Sequence, residues 1–158
     1  MGCSRKIGVY SSASREYRGL VRVWDFEKGL ELFTLKISPI YPVHKLAITP
    51  DGKLVIVALV VHNTIQIWSL EEQREILALQ GQTIDSDALA VTPDGQSLIS
   101  ASRDEIFSKN GTLRVWDLQS GTQLHTLPYR GRRTTKLLVT PDSKKLLSVA
   151  YLSEQESA

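Results

Sequence analysis

The chain has 158 residues, of which 42% are hydrophobic, and its 19 lysines and arginines nearly balance its 17 aspartates and glutamates. This length suits one domain with a buried core, and the net charge of +2 gives no overall attraction to nucleic acid or to an anionic membrane. The longest apolar run, residues 54–61, is far shorter than the roughly 20 residues of a membrane-spanning helix, so it indicates a buried strand.

The single cysteine, Cys3, excludes an internal disulfide. The sequence also opens without the charged and then apolar segments of a secretory signal. Both features favour a reducing compartment, and we expect a cytoplasmic protein with no membrane segment.

Two short motifs recur along the chain with one period. The first is a tryptophan followed by Asp or Ser at the end of a β-rich run. It recurs at Trp24, Trp68 and Trp116, spaced by 44 and 48 residues. The second reads Thr-Pro-Asp and begins at Thr49, Thr92 and Thr140, spaced by 43 and 48 residues. Two independent markers that share a period indicate a repeated structural unit.

Each unit divides into four short apolar runs separated by turn residues. In the second unit these runs cover residues 44–49, 54–60, 64–70 and 75–79 and are rich in Val, Ile and Leu, which is typical of strands. The Pro-Asp-Gly sequences suit tight connections between antiparallel strands. Runs such as residues 54–59 are apolar on both faces, which favours a sheet covered on both sides. We therefore predict an all-β chain of short hairpins.

The Trp-Asp motif, its period and the four-strand unit resemble the WD40 repeat family, whose units form the blades of a β-propeller. The resemblance covers about residues 7–151 and implies strands a, b, c and d from the axis outward. It implies a partial blade of strands b, c and d (7–37), two full blades (43–80 and 87–128) and a partial blade of strands a and b (136–151). It implies structural roles for Trp24, Trp68, Trp116, Asp51, Asp94 and Asp142.

These 13 strands make about three and a half blades, whereas propellers close with four to eight. Because a repeat needs a neighbour on each face, we expect either additional blades from a longer chain or self-association that completes the ring. Two chains would supply about 26 strands, close to the roughly 28 of a seven-bladed ring.

The units depart from the family pattern in one respect. WD40 units carry a histidine about eleven residues before the turn, and this histidine joins a hydrogen-bonded chain that reaches the tryptophan. Pro39, Gln82 and Arg130 stand at this place. We expect the full network to be missing and only its portion from Ser100 to Trp116 to survive.

The loops that join strand d to the next strand a differ sharply between units. The first, residues 38–42, is apolar and rich in proline, the second is acidic, and the third, residues 129–133, is basic. In the family this rim commonly binds partners, so we predict that a protein or peptide binds here, although drift in solvated loops gives the same pattern. The candidate residues are Tyr41, His44, Asp85, Asp87, Tyr129, Arg130, Arg132 and Arg133.

The lengthened loop between strands b and c of the third unit is a second candidate. It begins at Arg103 and carries Phe107 with no strand to bury it, which is typical of an anchor for a partner. The alternative is that Phe107 folds back over the blade. In the first unit Tyr17 takes the same place.

No motif in the sequence indicates a catalytic centre or a cofactor. The three histidines, His44, His62 and His125, lack the spacing of a metal site, and no glycine-rich phosphate loop is present. We predict a noncatalytic scaffold without metal or cofactor. The alternatives are an enzymatic propeller completed by other blades, or a nucleic-acid-binding face with a steep salt dependence. That face would contain Arg130, Arg132, Arg133 and Lys136.

Overall fold

The computed structural model describes residues 7–12, 18–59, 64–81, 86–103, 110–130 and 133–151, and these residues contain no helix. They form thirteen strands. In chain order these are β1 (Ile7–Ser12), β2 (Gly19–Asp25), β3 (Leu30–Ser38), β4 (Val43–Ile48), β5 (Leu54–Leu59), β6 (Thr64–Ser69), β7 (Arg74–Gln80), β8 (Ser86–Val91), β9 (Ser97–Arg103), β10 (Asn110–Asp117), β11 (Gln123–Arg130), β12 (Arg133–Val139) and β13 (Leu146–Tyr151).

The strands form four separate antiparallel sheets, each built from segments that are consecutive in the chain. The first sheet holds β1 to β3, the second β4 to β7, the third β8 to β11 and the fourth β12 and β13. We call these sheets blades 1 to 4. The predicted all-β propeller fold is confirmed, and the described strands do not close a ring.

The turns between the first two strands of a blade repeat one hydrogen-bond pattern. Thr49 Oγ1 donates to Asp51 Oδ1 at 2.6 Å and accepts the Leu54 N–H at 3.0 Å, while the Asp51 carboxylate accepts the Lys53 N–H. Thr92 with Asp94, and Thr140 with Asp142, repeat this arrangement. In all three turns the hydrogen bond from the threonine hydroxyl is the largest cause of the lowered pKa of the aspartate. The Thr-Pro-Asp motif therefore recurs because it closes the same turn three times.

Each tryptophan lies beside a β-bulge in the outer strand of its blade. The pairing register shifts between Val23 and Trp24, between Ile67 and Trp68, and between Val115 and Trp116. The extra residue in the outer strand is Leu32, Ile76 or Leu124, and each of these aliphatic side chains is exposed. A bulge increases local twist and redirects side chains, which explains why an apolar residue points to solvent at the same position of all three blades.

The core lies between successive blades rather than inside any one sheet. Blades 1 and 2 share a cluster that includes Val21, Val23, Leu35, Val55 and Val57. Blades 2 and 3 share a second that includes Ile56, Ile67, Leu79, Leu98 and Trp116. Blades 3 and 4 share a third that includes Ile99, Ala101, Leu113 and Leu137. Each buried Val, Leu or Ile contributes about 1.5–3 kcal/mol relative to an exposed one, so each blade is stabilised mainly by its neighbours.

The tryptophans differ in their hydrogen-bond partners. Trp116 is buried, with 2% of its surface exposed, and its Nε1 donates to Ser100 Oγ at 2.9 Å. Blade 2 has Val57 at the register position of Ser100, and Trp68 donates instead to Gln66 Oε1 at 3.2 Å on its own strand. Trp24 is half-buried on blade 1. The contact expected between Ser100 and Trp116 is thus present.

Candidate functional site

One end of the blades collects the loops predicted to bind a partner, and we call it the loop rim. Strand pairing places Gly19 beside Ser38, and Gly111 beside both Arg103 and Tyr129, at this end. The described part of the loop rim comprises residues 18–19, 38–42, 103, 110–111 and 129–130. Tyr17, Asp85, Phe107 and Arg132 lie outside the described residues, and Asp87 and Arg133 are described in their backbone alone, on β8 and β12.

The loop of residues 38–42 is held by its own first residue. Ser38 Oγ accepts the N–H of Ile40 at 3.2 Å and the N–H of Tyr41 at 3.0 Å. Gly19 lies close beneath this loop, because a Cβ at Gly19 would stand 2.7 Å from the Tyr41 carbonyl oxygen. A hydroxyl that accepts two successive backbone N–H groups stabilises the turn locally, so these bonds favour the conformation described for this loop.

This conformation separates the two large apolar side chains of the loop. Tyr41 is half-buried and packs against the core cluster shared by blades 1 and 2. Ile40 points outward with 62% of its surface exposed. The loop therefore uses Tyr41 to anchor itself and presents Ile40 to solvent.

Tyr129 has a similar inward orientation on blade 3. It packs against the core cluster shared by blades 3 and 4, and its ring lies over Gly111 on the neighbouring strand. Its hydroxyl is buried, with no hydrogen-bond partner among the described residues. Tyr129 thus supports the loop rim from below, and Arg130, the next residue, is exposed.

The described part of the loop rim is basic. Arg18 and Arg130 are exposed and Arg103 is half-buried at the end of β9, and the described rim residues include no aspartate or glutamate. His44 is half-buried on β4. An exposed aliphatic side chain at residue 40 and separate guanidinium groups are therefore the chemistry of the described part of the loop rim.

The opposite end of the blades carries the three Thr-Pro-Asp turns, which share one chemistry. Its Thr-Pro-Asp turns at Asp51, Asp94 and Asp142 all use the carboxylate to cap their own backbone. The Asp94 N–H also donates to Ser143 Oγ at 3.3 Å, which links the turns of blades 3 and 4. Identical turns that satisfy their own polar groups belong to the framework, in contrast to the unlike loops of the loop rim.

The described residues hold neither a cluster of metal ligands nor a membrane-spanning helix. No group of three or more His, Cys, Asp or Glu side chains there is placed to hold a metal ion. Within the same residues, no helix has the length and apolar character needed to cross a membrane.

Comparison with known proteins identifies the family of this four-sheet arrangement. The model of one family, described as the NWD2 C-terminal beta-propeller, matches residues 8–158. The chain belongs to this family. The matched residues include all four blades of this NWD2-type propeller. This agrees with the resemblance to WD40 repeats that the repeated tryptophan motif indicates.

The curated relatives of this NWD2-type propeller are WD-repeat proteins. Transducin beta-like protein 3 of Rattus norvegicus is 31% identical over 89 residues, which are 56% of this chain and 11% of that protein. Transducin beta-like protein 3 of Bos taurus is 30% identical over 89 residues, with the same coverage. The match therefore spans about a ninth of these relatives' length. Membership of the WD40 propeller family indicates, in general terms, a protein-interaction scaffold.

One rim residue of the NWD2-type propeller was not among the predicted contacts. Ile40 is the most exposed large hydrophobic residue of the described chain. The sequence carries a signal for it, because an isoleucine with a proline before it and Tyr41-Pro42 after it has no strand in which to be buried. The prediction for this loop named Tyr41, the next residue, which packs against the core cluster.

Proposed function

We propose that the chain is a noncatalytic scaffold that binds a protein or peptide through the loop rim. The exposure of Ile40 is the observation that carries this proposal. A loop fixed by Ser38 Oγ and anchored by Tyr41 presents an aliphatic side chain at little entropic cost, which is what a pre-organised binding surface requires.

The chemistry around Ile40 indicates the kind of segment that would bind. Arg18 and Arg130 are exposed at the same end of the blades, and long-range attraction from such groups favours an acidic partner. An apolar anchor at the same end of the blades as separated guanidinium groups suits a peptide that combines an aliphatic or aromatic residue with Asp or Glu. The three Thr-Pro-Asp turns at the opposite end offer no comparable variety.

A peptide library displayed on phage, panned against the purified chain, tests this proposal without knowledge of the natural partner. We expect enriched peptides that carry an apolar residue flanked by acidic ones. NMR chemical-shift changes on titration of an enriched peptide should map to residues 38–42, 103 and 130. The variant Ile40→Glu should weaken binding at least about tenfold, a loss of about 1.4 kcal/mol.

The matched control is Ile76→Glu, which places the same charge at an exposed isoleucine on the outer strand of blade 2. It should leave peptide affinity unchanged. NMR chemical-shift changes confined to the Thr-Pro-Asp turns would contradict a binding site at the loop rim. An equal loss of peptide affinity in the Ile40→Glu and Ile76→Glu variants would contradict it as well. Tight binding of single-stranded RNA or duplex DNA that falls steeply with salt would favour the nucleic-acid alternative instead.

A further inference from the structure

Blade 3 ends at the loop rim in a row of three residues on the side of blade 4. Gly111 on β10 pairs with Arg103 on β9 and with Tyr129 on β11, so the three lie side by side across the sheet. Arg103 shares its face of β9 with Ala101, a member of the core cluster of blades 3 and 4, and Tyr129 packs against the same cluster. The guanidinium group and the phenol therefore belong to the junction between these two blades.

The row is distinct from the one that follows it toward the opposite end of the blades. That next row on the same face consists of Ala101, Leu113 and Leu127, and all three side chains are apolar. The polar groups of this face are thus concentrated at the loop rim.

Thr134 on β12 adds a polar group to this end of the junction from blade 4. It is the second residue of β12 and follows Tyr129 by five positions, so both lie at the loop rim. No part of Thr134 is exposed, whereas the far face of blade 4 is exposed at Leu138 and Val149. A fully buried side chain on this strand therefore faces blade 3.

Two hydroxyl groups at this place have no partner in the described part of the protein. Thr134 Oγ1 and the Tyr129 hydroxyl oxygen are both shielded from solvent, and neither has a hydrogen-bond partner among the described residues. A buried hydroxyl without a hydrogen bond is unfavourable, so native proteins keep such groups where a water molecule or a ligand supplies the partner.

The junction between blades 1 and 2 shows that the fold does not require these hydroxyls. Val43 stands at the register position of Thr134 there, and it packs against the core cluster. Ser38 stands at the position of Tyr129, since each is paired with a glycine, and its hydroxyl accepts two backbone N–H groups. The unsatisfied pair is therefore particular to the junction of blades 3 and 4.

The chemistry of the three side chains indicates an anionic ligand. Each hydroxyl can donate one O–H, and the guanidinium group of Arg103 donates N–H groups and carries a permanent positive charge. A carboxylate accepts hydrogen bonds at both oxygens and matches the planar guanidinium fork. One guanidinium balances its single charge, whereas a phosphate group carries about two. The described rim residues include no Asp or Glu that could occupy the place.

We propose that Arg103, Tyr129 and Thr134 form a carboxylate-binding site, which takes the acidic side chain of the peptide bound at the loop rim. The inference rests on the proposed function, because the peptide brings the carboxylate to the rim. Arg103 and Tyr129 are half-buried, so part of each side chain is open to solvent. In the bound state the Tyr129 ring turns so that its hydroxyl donates to a carboxylate held by Arg103, and Thr134 donates from blade 4.

Thermal denaturation in sodium acetate tests the site with a minimal carboxylate. In about 0.5 M acetate the unmodified chain should melt about 2 °C or more above its value in sodium chloride of equal concentration, because acetate binds the folded state. The double variant Tyr129→Phe with Thr134→Val keeps the shape of both side chains and removes both hydroxyls. It should show less than half of this difference. In chloride it should melt at the same or a higher temperature than the unmodified chain, since it removes two buried groups that lack partners.

Two results of this experiment would overturn the site. An equal acetate effect in the two proteins would mean that acetate acts through the solvent alone. A lower melting temperature of the double variant in chloride would mean that the hydroxyls already have partners in the free chain, such as a bridging water.

A pair of peptides tests whether the carboxylate comes from the partner. A phage-enriched peptide is made with its Glu or Asp and with Gln or Asn in the same place. Calorimetric titration of the unmodified chain should give at least about tenfold tighter binding of the acidic form. This ratio should fall to about threefold or less in Arg103→Gln and in the double variant. The matched control Tyr41→Phe, at a half-buried tyrosine of the junction between blades 1 and 2, should keep the ratio.

The outcomes separate this inference from the proposed function. A ratio that survives in the double variant overturns the assignment of the partner's carboxylate to this site, even if Ile40→Glu weakens binding as expected. Failure of the proposed function has another signature. Ile40→Glu then leaves the affinity for both peptide forms unchanged, while the acetate effect still distinguishes the unmodified chain from the double variant.

Discussion

The ring of Tyr129 lies so close to Gly111 that a Cβ on the glycine would clash with the Tyr129 Cζ and Oη atoms. The two residues are directly paired across β10 and β11. Glycine weakens a strand on its own account, but an aromatic ring that folds over it shields the exposed backbone and recovers part of that loss. Gly19 stands at the same distance before its tryptophan and lies beneath the Tyr41 carbonyl, so close approach at this position is a repeated feature.

Gly111→Ala should lower the free energy of unfolding by about 1–3 kcal/mol, because the added methyl group forces the Tyr129 ring out of its position. Urea denaturation followed by fluorescence measures this loss. In a Tyr129→Ala background the same substitution should cost much less, and a double-mutant cycle should give a coupling energy of about 0.5–3 kcal/mol. Additive losses would show that the ring and the glycine do not constrain each other.

Ser100→Ala should destabilise the chain by about 1–3 kcal/mol, because it leaves the buried Trp116 N–H without its acceptor. Trp116→Ala should cost about 3–5 kcal/mol, since it opens a cavity between blades 2 and 3. Gln66→Ala is the matched control in blade 2. Trp68 is half-buried, so water replaces its lost partner and the expected loss is below about 1 kcal/mol. Equal costs for the Ser100 and Gln66 substitutions would contradict this difference in burial.

Gln73→Gly should stabilise the chain by about 0.5–1 kcal/mol. Gln73 has φ of 53°, at the turn position where blades 1 and 3 carry Gly29 and Gly121 with φ of 65° and 73°. A left-handed conformation costs a non-glycine residue roughly 1–2 kcal/mol, of which the greater freedom of glycine in the unfolded chain cancels a part. Thermal denaturation measures the gain. The converse substitution, Gly121→Ala, should destabilise, because its Cβ would also stand 2.8 Å from Leu77 Cδ2.

The three Thr-Pro-Asp turns should make stability depend on pH in the acid range. Hydrogen bonds, first from the threonine hydroxyl and then from the backbone, hold the pKa of Asp51, Asp94 and Asp142 below the ordinary 3.8. A lowered folded-state pKa contributes stability that is complete above the unfolded value and is lost as pH falls through the folded value.

The triple variant of Asp51→Asn, Asp94→Asn and Asp142→Asn should therefore be less stable than the unmodified chain at neutral pH. The difference should shrink as the pH falls below about 4, near the unfolded-state pKa of aspartate. Urea midpoints measured along a pH series check this. If the urea midpoints of the variant and the unmodified chain changed in parallel with pH, the ionised carboxylates would not contribute to the stability of the fold.

The fold was predictable because the sequence motifs that specify it recur with a regular period. The tryptophans at 24, 68 and 116 and the Thr-Pro-Asp turns each specify a repeated local geometry, and a period common to both identifies the unit. The orientation of single rim residues was not predictable. Tyr41 packs inward because Gly19 makes room beneath its loop, and Tyr129 because Gly111 lies opposite its ring. The two contacts join residues that are 22 and 18 positions apart in the chain, and no pattern in either loop records them.

The bulges behind Leu32, Ile76 and Leu124 illustrate the same limit. In a regular strand, successive side chains point to opposite faces of the sheet. An inserted residue reverses this alternation from that point on, and the composition of the strand gives no sign of it. The exposure of Leu127 was equally hidden, because it depends on which strands follow blade 3 rather than on the sequence around the leucine.

The sheets contain only segments that are consecutive in the chain, and this has a consequence for synthesis on the ribosome. No described sheet waits for a strand from a distant part of the polypeptide, so each can assemble soon after its last strand emerges, and loop closure costs little at every step. Disassembly should run in the opposite sense. Amides of blades 2 and 3, flanked on both faces by described blades, should exchange with deuterium more slowly than those of blades 1 and 4.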